Sequence, residues 1–205
     1  MKSLKEKFSA YWKKKTRLGK ISDVIFIALI IALFIPDSRV AVGGFVNRIK
    51  SMIIEPSLKT SGEQIILDSS DFNWELNDLS GKSVNLNEFE GKVIFINQWA
   101  TWCPPCVGEM PSIQKLYDKF KTNPNVVFLL ISNDRNTEKA KAFIKKKGYT
   151  FPVYTTNYQA PSVFASQSIP VTFLISKDKK IIVHETGANN WGGEYMESII
   201  NELLK

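Results

Sequence analysis

The sequence predicts an α/β domain with a mixed central β-sheet flanked by helices on both faces, preceded by one N-terminal transmembrane helix. Three observations lead there. Residues 93–96 and 126–132 are continuous apolar runs, each followed by a stretch of helical periodicity, the pattern of buried parallel strands joined by crossover helices. Residues 171–175 and 181–184 pair as an antiparallel hairpin across the polar turn Lys177-Asp178-Lys179-Lys180. Residues 21–35 are apolar apart from Ser22 and Asp23 and directly follow a basic run.

The basic run also explains the charge. Eight of the 27 Lys and Arg and one of the 20 Asp and Glu lie in residues 1–20, which leaves 19 of each sign in the remainder. The net charge of +7 therefore belongs to the N-terminus, and a neutral folded part argues against nucleic acid as a partner. Residues 1–20 read as a basic cytoplasmic segment and residues 21–42 as a signal anchor, somewhat short for a bilayer unless its flanks snorkel. A cleaved signal peptide is the alternative, with Ala41-Val42-Gly43 as a small-residue site, but the basic region is longer than a cleaved signal usually carries. Under either reading the positive-inside rule exports all that follows, so the expected location is the periplasmic side of a bacterial inner membrane, as a single-pass protein.

Residues 43–64 form a linker, in which Phe45, Val46, Ile49, Met52 and Ile53 follow helical spacing and suit a short amphipathic helix. The folded domain spans residues 65–205. Residues 65–67 and 72–76 are candidate strands, and Leu79-Ser80-Gly81-Lys82 turns the chain into a short strand at residues 84–86. A buried strand at residues 92–97 leads to a helix from Cys103 to about Lys121, with Ile113, Leu116, Tyr117 and Phe120 on one face. After the strand at 126–132, residues 137–147 form a helix with a basic, solvated face, ended by Gly148. A short strand at 151–154, a helical turn within 159–166, the hairpin and a last helix over 193–204 complete the domain.

Chemistry concentrates in Lys92 to Pro111, KVIFINQWATWCPPCVGEMP, which holds both cysteines. A C-x-x-C pair at a strand-to-helix junction puts the first sulfur at a helix N-terminus, where unpaired N–H groups and the helix dipole favour a thiolate. As a disulfide the pair closes too small a loop to act as a staple. Structural zinc wants about four ligands, and the only histidine is His184, so no metal site is expected. Redox chemistry remains.

The stretch WATWCPPC followed by Glu109-Met110-Pro111, the later Ile169-Pro170-Val171-Thr172-Phe173 and the LSGKSVNLNEFEGK entry strand resemble the thioredoxin superfamily, specifically the membrane-anchored, exported proteins of the TlpA and ResA type. The resemblance covers residues from about Ser70 to the end and implies a thioredoxin fold. It implies that Cys103 is the nucleophile and Cys106 the resolving thiol, consistent with Cys103 at the exposed helix tip and Cys106 nearly one turn further in. It makes Pro170 the cis-proline that, with Ile169, presents backbone to a substrate, and Glu109 a proton handler near the buried thiol. The competing reading of Glu109 is a solvated acid in an early helical turn. Asn97 stands where cytosolic thioredoxins carry a proton-accepting aspartate; an amide cannot take that proton, which shifts weight to Glu109.

Trp102 adjoins Cys103 and is expected to form part of a docking surface with Pro104 and Pro105, while Trp99 and Trp191 are assigned to packing. Neither proline has an N–H, so the Cys103 thiolate loses two possible donors and a reductant-leaning potential is expected. The expected partners are disulfide-containing exported proteins, for example apocytochrome c before haem attachment, with a membrane thiol transporter as electron donor and no cofactor. Two other functions compete. A thiol peroxidase would place a threonine three residues before its cysteine, whereas Thr101 is two before Cys103. A binding module could hold copper(I) on two thiolates.

Overall fold

The computed structural model describes residues 16–34 and 65–205. The chain divides into two compact units, Met1–Ala41 and Val42–Lys205. In the first, helix α1 (Arg17–Phe34) has 18 residues, about 27 Å at 1.5 Å per residue, and its first two turns carry Arg17, Lys20 and Asp23. Among the described residues no helix is long and apolar enough to cross a membrane. The rest of the expected anchor, to Val42, and the amphipathic linker lie outside the described residues.

The second unit is a seven-stranded mixed sheet. Its strands are β1 (Glu75–Asp78), β2 (Ser83–Asn85), β3 (Val93–Trp99), β4 (Val126–Ser132), β5 (Val153–Thr155), β6 (Val171–Ile175) and β7 (Ile181–Thr186). Their spatial order is β2-β1-β5-β4-β3-β6-β7. β4 runs parallel to both β3 and β5, whereas β6 is antiparallel to β3 and pairs with β7 as the expected hairpin. The helices are α2 (Pro104–Phe120), α3 (Thr137–Lys147) and α4 (Glu194–Leu203). Gly148, at φ 69°, takes the left-handed conformation that ends α3, as its residue type predicts.

β3 is buried at every position, and its alternation divides the core. Val93, Phe95 and Trp99 point to one face with Met110, Ile113 and Leu116 of α2, Ala140 of α3 and Met196, Ile199 and Ile200 of α4. Ile94 and Ile96 point to the other, where they meet Leu67, Phe72, Trp74, Leu86 and Phe164. This corrects the expectation of helices on both faces. All three helices of the unit pack on one face, and the other is covered by the 65–76 segment and two 3-10 turns, Leu86–Phe89 and Ser162–Phe164. The helical turn expected within 159–166 is only Ser162–Phe164, with Pro161 at its N-cap and Ala165 already extended at its end. Likewise residues 65–67 make only a bridge, Ile66 to Lys180, rather than a strand. The strand expected at 72–76 begins only at Glu75, because Asp68 folds the preceding chain by accepting from the N–H groups of Ser70 and Asp71.

Phe95 lies at the centre of the helical face, 5.3 Å from the Phe128 ring and 5.5 Å, edge-on, from Trp191. Phe95→Ala is expected to lower unfolding stability by about 3–5 kcal/mol in urea titrations of the oxidised chain. Tyr158→Ala, at a side chain 58% exposed, should stay within about 0.5 kcal/mol.

Candidate active site

β3 delivers the chain to the site. Beyond Trp99 the backbone turns through Ala100, Thr101 and Trp102 into Cys103, the N-cap of α2, whose extended backbone (φ −97°, ψ 104°) places its sulfur over the helix end. The Cys106 N–H donates to Cys103 Sγ at 3.3 Å. Pro104 and Pro105 occupy the first helical turn and donate nothing, so Cys106 is the first residue of α2 with an N–H to offer. Cys103 and Cys106 are joined as a disulfide, with Cα atoms 5.3 Å apart.

Cys106 is fully buried as expected, but Cys103 is only 4% exposed, so the tip of the helix is not open. The cover comes from the neighbouring turn: the peptide bond Ile169–Pro170 is cis, and the Ile169 carbonyl oxygen lies 3.7 Å from Cys103 Sγ. Trp102, 59% exposed, is the apolar surface left beside the sulfur. Pro104, Pro105 and Ile169 are half-buried around it and Pro170 is buried.

The turn that carries the cysteines is held by Asp134, which sequence reading missed. Its Oδ2 accepts from the Thr101 N–H at 3.0 Å and from Ser132 Oγ at 2.9 Å, while Oδ1 accepts from Thr101 Oγ1 at 2.7 Å. The signal lay in the parallel register, which pairs Trp99 with Ser132 and so sets the residues just beyond both strands side by side.

Glu109, one turn after Cys106 on α2, is completely buried, so the solvated-acid reading does not hold. Its Oε1 accepts from Asn97 Nδ2 at 2.8 Å, and its Oε2 accepts from the Asn189 N–H at 3.1 Å and Trp191 Nε1 at 2.8 Å. Asn97 Nδ2 also donates to Thr172 Oγ1 at 2.8 Å. Trp99 packs in the core, as expected, against Phe143. Trp191 packs too, but its indole N–H also holds the carboxylate. The pattern of apolar spacing cannot report that bond, because it forms between residues 82 positions apart.

Burial pushes Glu109 up to about 7, against the opposing effect of the bonds from Trp191, Asn97 and Asn189. A carboxylic acid that titrates near neutrality can both take and return a proton there. No cofactor is needed for that chemistry, since two sulfurs and one carboxyl suffice for thiol–disulfide exchange.

The fold and the paired sulfurs define an oxidoreductase of the thioredoxin superfamily, of the TlpA and ResA type. The chain belongs to the Redoxin family, which matches residues 60–204. Thiol-disulfide oxidoreductase ResA of Halalkalibacterium halodurans is 33% identical over 150 residues, covering 73% of this chain and 80% of the relative. ResA of Bacillus subtilis is 33% identical over 146 residues, covering 70% and 78%. A crystal structure from Bacteroides vulgatus, assigned as a thiol-disulfide oxidoreductase, is 31% identical with a TM-score of 0.55, covering 63% of this chain and 91% of that one.

The raised Glu109 pKa sets a stability slope. Between pH 4.5 and about 7 the folded protein keeps a proton that the unfolded chain has released, so stability falls as pH rises through that window. The loss amounts to about 3 kcal/mol. Urea unfolding of the oxidised chain from pH 4 to 8 should show this slope in the unmodified protein and its absence in Glu109→Gln; parallel profiles would contradict the assignment.

Proposed function

We propose that this chain is an exported, membrane-tethered thiol-disulfide oxidoreductase that reduces disulfides in partner proteins. The observation that carries this reading is the pairing of a Cys103–Cys106 disulfide, its first sulfur capped by a helix N–H, with a fully buried carboxyl one turn beyond Cys106 that burial pushes up to about 7. In the reduced protein the Cys103 thiolate attacks a target disulfide and expels one target thiolate, forming a mixed disulfide. Glu109 takes the Cys106 proton, and the Cys106 thiolate attacks Cys103 Sγ. The second target sulfur leaves as the thiolate and takes up a proton. The target gains two electrons, and the chain is left with the Cys103–Cys106 disulfide present in this structure.

A target strand is proposed to lie along Ile169 and Pro170 with Trp102, Pro104 and Pro105 as its apolar floor. The basic residues 1–20 and the apolar run at residues 21–35 support the tether and a periplasmic site. The relatives' name, thiol-disulfide oxidoreductase, supports disulfide-containing protein substrates. An exported target such as apocytochrome c, and a membrane thiol transporter returning electrons, rest on the resemblance of WATWCPPC and Ile169-Pro170 to exported proteins of this type. Two neutral first-turn positions at Pro104 and Pro105 support a reducing potential.

Three measurements test this. Cys103→Ser should abolish dithiothreitol-driven insulin reduction, and Cys106→Ala should leave Cys103 covalently joined to its partner in membranes. Equilibration with glutathione should give a potential well below the DsbA value of about −120 mV. Full insulin reduction by Cys103→Ser would overturn the assignment of the nucleophile.

A further inference from the structure

The loop over residues 187–193 supplies two of the three hydrogen bonds on Glu109. Both end on Oε2, from the Asn189 N–H and from Trp191 Nε1, whereas Oε1 meets only the Asn97 amide. A backbone N–H and an indole N–H are donors that cannot become acceptors. Asn97 can change role, because a half-turn of its amide exchanges Nδ2 for Oδ1, and Oδ1 is buried without a hydrogen-bond partner.

The loop is locked against α2 and the cis-proline turn. Ser112 Oγ donates to the Glu109 carbonyl at 2.7 Å and accepts from the Trp191 N–H at 3.2 Å. Gly192 approaches so closely that a Cβ there would lie 2.7 Å from the Ser112 carbonyl oxygen. At the other end the Gly187 N–H donates to the Pro170 carbonyl at 2.8 Å. Trp191 is fully buried against Phe95, so its N–H has one direction.

We propose that this loop, through Trp191 as a positioning residue, directs the exchangeable proton of Glu109 to Oε1. A proton on Oε2 would face two fixed N–H donors. On Oε1 it meets Asn97, which turns so that Oδ1 accepts from the Glu109 O–H, and Thr172 Oγ1 changes from acceptor to donor. The groups that bond the carboxyl are uncharged: Asn97 from β3, and Asn189 and Trp191 from the loop. The titratable residue nearest along its own helix is Cys106, three positions earlier. Thr172 of β6 meets Asn97 rather than the carboxyl. The consequence for Cys106 rests on Glu109 being its proton partner, as proposed above; the placement of the proton does not.

Nuclear magnetic resonance on the full-length reduced chain in detergent tests it, with ¹³C at the glutamate carboxyls and ¹⁵N in the indoles. In the unmodified protein the Trp191 indole should titrate with the same midpoint as the Glu109 carboxyl. Trp191→Phe keeps an aromatic ring, removes the donor and should raise that midpoint by about one unit. In a Cys103→Ser background it should displace the pH profile of Cys106 alkylation equally, with an unchanged plateau. A pH-invariant indole, or an unmoved Glu109 in folded Trp191→Phe, overturns the proposal. A moved carboxyl with an unmoved Cys106 profile upholds it and instead overturns the proton exchange between Glu109 and Cys106. Should Trp191→Phe fail to fold, the indole titration of the unmodified protein decides.

Discussion

A carboxyl group buried with no counter-ion among the described residues is the constraint on which the site depends. Placing an ionised carboxylate inside a protein costs several kcal/mol unless fixed donors replace its water. Glu109 meets that demand with donors from β3 and from the loop before α4, neither of them charged. The result is an acid balanced near neutrality rather than one held firmly ionised by an ion pair. Much of the helical face serves this end. Phe95 packs the indole, Ser112 ties the loop to α2, and Gly192 lets two backbones approach where a side chain would hold them apart.

The first two turns of α2 carry the site. Its N-terminus faces the cis-proline turn and holds the Cys103 sulfur with one N–H, while its second turn carries the buried Glu109 carboxyl on the side facing the sheet. Asp134 fixes the incoming turn from β4, so the sulfur is aimed by a neighbouring strand as well as by its own helix. The lopsided core fits this arrangement. Packing all three helices on one face surrounds Glu109 with side chains, while the far face is closed by short turns.

The strands and helices were legible because their signals are local: apolar runs for β3, β4 and β6, helical spacing in α2, and Gly148 as a stop. So was the redox pair, since C-x-x-C, the two prolines between its cysteines and the later Ile169-Pro170 are all written in the chain. What the reading could not supply was long-range. Asp134 and Trp191 look like ordinary loop and packing residues until register and loop docking bring them to Thr101 and Glu109. The covering of the far sheet face was equally hidden, because residues 65–67 and 72–74 read as strand but make only one bridge and a turn ahead of β1. Departure from a familiar pattern was informative at Asn97, where an amide on β3 in place of an acid turned attention to Glu109, the carboxyl that this amide bonds.

The central claim is that Glu109 exchanges a proton with the resolving thiol. The most direct measurement is the rate at which Cys106 resolves a preformed mixed disulfide on Cys103, followed by stopped flow from pH 5 to 9. The account predicts that the rate rises through a midpoint near 7, and that Glu109→Gln removes this rise and leaves only the later one due to thiol ionisation. An unchanged pH profile in folded Glu109→Gln would contradict it.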